Sequence, residues 1–310
     1  MEKKKQRHIN RENALSNGKK GLLAAIMSAV LFGFMPITTK YLYGFGCSTI
    51  TVVFFRQLLA LPIVLILFAK GEKVKIKKRE LLSALNIIIV GMLLTQTLLY
   101  ASYNYISTGL ATTLHFSYPV FAVVGMLIFY KSKLTWIKIL CVALCTSGIL
   151  LFYEHTEGIA FRGMIIALLS GLTYAYYIIR LGKSDLRFMP PMQYAALYIV
   201  VNSTVLFVYG NITNSIQYEF PLRFWIVMFL FALAITIAAV LLVQYAVKYI
   251  EPDTVSILST LEPITSIIIG ILLLNETINL KTGLGMLLIL LAVFIITLYN
   301  KEPKKEQEYL

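Results

Sequence analysis

Residues 261–277 read LEPITSIIIGILLLNET, an oily run with a carboxylate and a helix breaker at its start. Glu262 stands directly before Pro263, and no further charge follows until Glu276. A charge at the bilayer centre costs about 2.5–3.5 kcal/mol on insertion scales. A proline removes one backbone hydrogen bond. A chain keeps both inside a run suited to lipid either because packed partners satisfy them or because they work there. The run also has a mate. A shift of 144 lays residues 98–153 on 242–297, with Tyr105–Ile106 on Tyr249–Ile250, Leu114 on Leu258 and Pro119 on Pro263. Apolar and polar zones stay in phase without a gap. A shift of 142 lays GLLAAIMSAVLF (21–32) on GMIIALLSGLTY (163–174), with Gly21 on Gly163 and Ser28 on Ser170.

Composition sets the class. The 310 residues are 58% hydrophobic and 14% charged, with a mean hydropathy of +0.78. Soluble domains average about 45–50% apolar and about 25% charged. This is the composition of an integral membrane protein, too apolar for one or two anchors. Ten apolar runs have transmembrane length: 21–43, 49–69, 80–102, 109–130, 134–153, 161–181, 191–210, 222–246, 253–274 and 279–299. The expected fold is all-α: ten transmembrane helices in two five-helix repeats, 21–153 and 161–299, between a basic tail (1–20) and a short tail (300–310). An odd number of crossings per repeat makes the second enter the membrane the opposite way round, the inverted-topology plan of secondary transporters. The counterpart of 21–32 within the second repeat argues against reading the first run as a signal peptide.

The net charge of +13 is explained by orientation. With both termini cytoplasmic, 23 Lys and Arg residues fall inside and only Lys40, Arg162, Arg223 and Lys281 fall outside, leaving Arg56 within a helix. That is the positive-inside rule. The basic segments then need anionic lipid headgroups and no nucleic acid. Cys47, Cys141 and Cys145 read as small helix residues, with no disulfide framework and no metal spacing.

The chain resembles the drug/metabolite transporter superfamily, EamA type, over about residues 20–300. The resemblance is carried by Tyr249–Ile250 through LEPITSIIIGILLLNETI (261–278), by the first-repeat copy SYPVFAVVGMLIFYKSKL (117–134), and by Arg56 in FFRQLLAL. Asn275 stands where the family usually has Gly, and Ser132 stands where the second copy has Glu276. The resemblance implies a ten-helix fold with helices 1, 3, 4, 6, 8 and 9 around a cavity. It also implies a substrate among amino acids, other metabolites or drugs.

Polar stripes mark the candidate site. Thr112, His115 and Tyr118 share a helix face with Ala122, and their counterparts are Ser256, Ser259, Glu262 and Ser266. Gln96 and Tyr100, with Tyr103, form a second stripe, and Tyr174 and Tyr177, with Ser170, a third; Gln244 matches Tyr100 under the shift. Lipid-facing sides have no reason to be polar, so these faces point to the protein interior or to a cavity. Ser and Thr also serve simply to pack membrane helices, and tyrosines to mark the interface, although Gln96 and Tyr174 sit too deep for a belt. A mid-depth carboxylate at Glu262 can meet a substrate amine or carry a proton, or it can serve as a structural hydrogen-bonder. Glu262 and His115 are the candidates for proton coupling, and Pro119 and Pro263 for bending their helices. Glu276 reads as a cap or interfacial anchor, and Arg56 and Lys40 as side chains that snorkel outward.

Taken with the family resemblance, which implies the substrate class and a prokaryotic cell membrane, these features predict a secondary transporter of a small organic metabolite, an amino acid or related solute, in the export direction. A multidrug or hydrophobic-solute exporter of the same fold is the alternative. An intramembrane enzyme needs converging catalytic groups, but His115 is the sole embedded histidine and Glu262 has no acidic mate in the bilayer. A receptor would usually carry a soluble domain. There is no Gly-rich phosphate loop for an ATP motor. The expected partners are a small-molecule substrate, membrane lipid and, through the coupling groups, protons, with no cofactor. The oligomeric state is open.

Overall fold

Backbone polar groups cannot be left unpaired in hydrocarbon, so apolar runs of this length satisfy them as helices. The computed structural model describes residues 2–71, 74, 78–153, 158–250, 254–255 and 258–300; side chains are described for these except at 2–17, 78, 79, 152, 153, 187, 191, 244, 247, 248 and 300. Among the described residues there is no strand. The helices are α1 (Glu2–Tyr43), α2 (Thr49–Lys70), α3 (Lys78–Asn86, Ile87–Leu93 and Leu94–Ser102 in succession), α4 (Thr108–His115, then Tyr118–Tyr130) and α5 (Trp136–Tyr153). They continue with α6 (Ile159–Gly182), α7 (Pro191–Ile212), α8 (Leu222–Phe231, Ala232–Ala239 and Val240–Tyr249 in succession), α9 (Leu261–Leu274) and α10 (Leu280–Asn300). Eight are long and apolar enough to cross a membrane, while the apolar stretches Trp136–Leu151 in α5 and Leu261–Leu274 in α9 are shorter. Large apolar side chains such as Leu22, Phe129, Leu272 and Leu287 cover the outside of the bundle, a surface made for lipid.

The internal repeat is visible in the packing. α1 lies against α8 and α9, and its counterpart α6 lies against α3 and α4. α2 pairs with α7, and α5 with α10. Wide π-type turns occur at Ile87–Leu93 in α3 and Ala232–Ala239 in α8, almost in register under the 144 shift. The left-handed residues that end α4 and α9, Lys131 (φ 49°) and Asn275 (φ 52°), also correspond. That conformation explains Asn275: after Gly, Asn tolerates it best. Past each cap, Ser132 N–H donates to the Met126 carbonyl and Glu276 N–H to the Gly270 carbonyl. The matched glycines make matched close approaches. A Cβ at Gly21 would lie 3.0 Å from the Tyr249 Cβ, and one at Gly163 would lie 2.5 Å from the Tyr105 Cβ.

The helices of Pro119 and Pro263 are broken rather than gently bent. α4 is interrupted at Phe116–Ser117, and Pro119 follows as the second residue of its next segment. In α9 the turn at Ser259–Thr260 precedes Leu261, and Pro263 lies in the new first turn. Proline is tolerated in a first turn, where its missing N–H removes no helical bond.

Candidate functional site

The two breaks face one cavity of about 650 Å³. Its wall is formed by α1, α3, α4, α6, α7, α8 and α9, with Arg56 reaching in from α2. Eight of the residues singled out from sequence line it: Gln96, Tyr100, His115, Tyr118, Tyr174, Tyr177, Ser259 and Glu262. The lining runs from mid-bundle toward the end where α6 finishes and α7 begins, at Leu181, Leu186, Met189 and Tyr194.

Two expected members differ. Thr112 is fully buried outside the lining. Its hydroxyl donates to the Thr108 carbonyl (2.8 Å) and meets Ser266 Oγ at 3.3 Å, in the contact between α4 and α9. The break after His115 ends the helical period that put Thr112 and Tyr118 on one face, so the stripe divides into a packing half and a cavity half. The side chain of Gln244 and all of Ser256 lie outside the described residues.

Glu262 sits in the first turn of α9, where the helix N-terminus favours negative charge. Among the described residues its carboxylate has no hydrogen-bond or ion-pair partner. It lies within electrostatic reach of the hydroxyls of Tyr100, Tyr103, Tyr118 and Tyr174. Beside it runs an aromatic wall. The His115 ring is 5.7 Å from Tyr118 and 5.4 Å from Tyr174, Tyr118 meets Tyr174 edge-on at 4.6 Å, and Tyr174 stacks on Tyr177 at 5.4 Å. His115 Nδ1 is 3.0 Å from Ser170 Oγ, which itself donates to the Ala167 carbonyl at 2.6 Å. With that proton committed, Ser170 accepts from Nδ1–H. Nε2 is then the imidazole's acceptor.

Arg56 overturns the snorkelling expectation. Residues 51–57 of α2 are all buried, so no lipid-facing path leads its stem outward. Its side chain is 4% exposed and lines the cavity. The guanidinium carbon lies 5.3 Å from the Tyr100 ring centre and 6.0 Å from that of Phe231, a cation–π setting. Nε has no hydrogen-bond partner, and no carboxylate lies within 4.0 Å among the described residues. Lys40 does not snorkel either. Its Nζ is 3.1 Å from Glu276 Oε1. Glu276 is a cap, but of another helix: it accepts from Thr108 N–H at 2.8 Å and Thr108 Oγ1–H at 2.9 Å, at the start of α4.

Two residues passed over in the sequence complete the wall, and a third, Gln57, braces it from behind. Tyr194 and Tyr198 line it from α7. Gln57 Nε2 donates to Gln96 Oε1 and to the Tyr198 hydroxyl, both at 2.8 Å, and Gln96 Nε2 also donates to Tyr198. The signal was present: Tyr194, Tyr198 and Asn202 recur every fourth residue on one face of α7.

A repeated helical bundle that encloses a charged, aromatic cavity between its halves is the architecture of a membrane transporter. The profile of the EamA-like transporter family matches residues 19–154 and 161–298, and the chain belongs to that family, a multi-pass transmembrane transporter. It is 24% identical over 279 residues to an uncharacterized transporter of Archaeoglobus fulgidus, covering 90% of this chain and 98% of that one. It is also 24% identical over 282 residues to the uncharacterized transporter YcbK of Bacillus subtilis, covering 86% and 88%. A solved crystal structure shares the fold with a TM-score of 0.61 at 10% identity, over 92% of this chain and 99% of the other.

Proposed function

We propose that the protein is a secondary transporter that moves a small organic metabolite, an amino acid or related solute, out of a prokaryotic cell. In this reading α5 and α9 also cross the membrane. That gives ten spans, two inverted five-helix halves and both termini in the cytoplasm. Support comes from the distribution of Lys and Arg along the chain and from the exchanged packing, in which α1 and α6 each lie on the other half's pair of helices. The cavity end at Leu181 and Met189 then faces the cytoplasm, which suits loading for export. The observation that carries the reading is Glu262: an unpartnered carboxylate at a helix break, beside tyrosines, on a cavity of about 650 Å³. Substrate amines or protons are the species such a group receives.

The test is a screen of the purified protein for thermal stabilisation by a metabolite library, followed by flux into liposomes. A ligand at 100 times its dissociation constant stabilises by about 2.7 kcal/mol. The expected result is a hit class that is transported and is weakened in Glu262→Gln. Proton coupling predicts that Glu262→Gln or His115→Ala transports without responding to an imposed pH gradient. If both variants retain full gradient dependence, neither residue carries the proton. A well-folded protein that neither binds nor moves any library member contradicts the reading.

A further inference from the structure

Among the described residues Glu262 is one of two charged groups left open on the cavity. Arg56 is the other, and it is more deeply enclosed. A guanidinium held away from water needs an anionic partner or a compensating polar cage. Among the described residues Arg56 has only the faces of two aromatic rings. Its surroundings offer further donors and little negative charge. Tyr100 is fully buried, and its hydroxyl has only the Thr39 hydroxyl within reach, with no hydrogen bond of ordinary geometry among the described residues. The Tyr198 oxygen accepts from both Gln57 and Gln96, so its own proton remains for the neighbouring Asn202 or for a solute acceptor. Both hydroxyls lie within electrostatic reach of Arg56, and all three residues line the cavity. A planar guanidinium with two hydroxyl donors matches a carboxylate.

The opposite pole has the complementary chemistry. Glu262 can only accept while ionised, and the faces of Tyr118 and Tyr174 beside it attract cations. A purely cationic solute would satisfy Glu262 and be repelled by Arg56. A purely anionic solute would do the reverse. A solute with both charges relieves both groups at once, whereas an anionic solute leaves Glu262 to be neutralised by a proton.

We propose that Arg56, Tyr100 and Tyr198 form the receptor for the carboxylate of a zwitterionic solute whose ammonium group meets Glu262. The assignment rests on the transporter reading of the cavity and adds to it the polarity and orientation of the substrate, with the carboxylate toward α2, α3 and α7 and the amine toward α9.

The experiment measures binding of three matched series to the full-length purified protein: the twenty amino acids, their carboxamides and their N-acetyl derivatives. At least one amino acid is expected to bind, with its carboxamide and its N-acetyl derivative each at least about 100-fold weaker, because a buried group built to pair rejects an analogue that leaves it unpaired. Arg56→Gln should reduce discrimination against the carboxamide to less than about threefold while keeping discrimination against the N-acetyl form. Glu262→Gln should do the reverse. Arg56→Lys should restore part of the acid-over-amide preference, which loss of packing alone would not allow. If Arg56→Gln does not fold, Tyr100→Phe and Tyr198→Phe each replace it, with a smaller loss of the same preference expected. Carboxamides that bind as well as the acids, or acid preference that survives Arg56→Gln, would overturn the receptor. So would an absence of binding throughout the panel. Flux of an organic cation or a neutral drug through the wild-type protein would then show that the transporter reading stands without it. No flux of any solute class would remove both.

Discussion

The two ends of the bundle share a backbone and differ in chemistry. At one end Glu276 follows the left-handed Asn275, receives Lys40 of α1 at 3.1 Å and accepts two hydrogen bonds from Thr108 of α4. At the other end the repeat places Ser132 after the left-handed Lys131, with the same backbone bond past the cap. Ser132 Oγ is buried without a hydrogen-bond partner. The nearest counterpart of Lys40 is Lys183, which lies 5.4 Å from the Tyr130 ring centre. One end is tied by an ion pair across three elements, the other by a cation–π contact. The cavity lining follows that difference and extends toward the Lys183 end. The caps, breaks and π turns correspond between the two halves, while the side chains that tie each end differ.

The largest effect should come from Glu276→Ala. It leaves Lys40 unpaired and exposes the first N–H groups of α4, and a loss of about 2–4 kcal/mol is expected, read as a fall in thermal midpoint. Overpacking comes next. Gly163→Ala should destabilise by about 1–3 kcal/mol, because its Cβ meets the Tyr105 Cβ at 2.5 Å, whereas Gly21→Ala, at 3.0 Å from Tyr249, should cost less. Equal costs would mean the two ends are packed alike. Ser132→Glu builds the missing carboxylate two residues from Tyr130, the residue that Lys183 contacts, and a gain of up to about 1 kcal/mol is expected, lost again at high salt. Lys183→Gln should be the mildest, at about 0.5–1 kcal/mol, since it removes a cation–π contact at the edge of the bundle.

Much of this was legible in the sequence. The apolar runs anticipated an all-helical membrane chain, because hydropathy and period are local properties, whereas the pairing of α2 with α7 and of α5 with α10 was not read from the sequence. Pro119 and Pro263 marked the breaks, although not the loss of register that moved Thr112 into the α4–α9 contact. The π turns at Ile87–Leu93 and Ala232–Ala239 leave no trace in composition. Arg56 was misjudged because depth along a helix says nothing about which face its neighbours enclose. Seven consecutive buried residues of α2 are a tertiary fact. The pairing of Lys40 with Glu276 spans 236 positions and follows from no spacing rule. Tyr194 and Tyr198, by contrast, were readable from periodicity alone.

The most direct test is sided labelling of a cysteine in place of Met35, the α1 lining residue nearest Lys40. An impermeant thiol reagent is added at the membrane face that carries Glu276, with Met35→Cys alone and with Met35→Cys combined with Glu276→Gln. Very slow labelling is expected in the first protein. At least a tenfold increase is expected in the second, since each 1.4 kcal/mol removed from the sealed state shifts its population tenfold. Fast labelling in both, or no change on removing the Glu276 charge, would contradict a bundle sealed at that end by the Lys40–Glu276 pair.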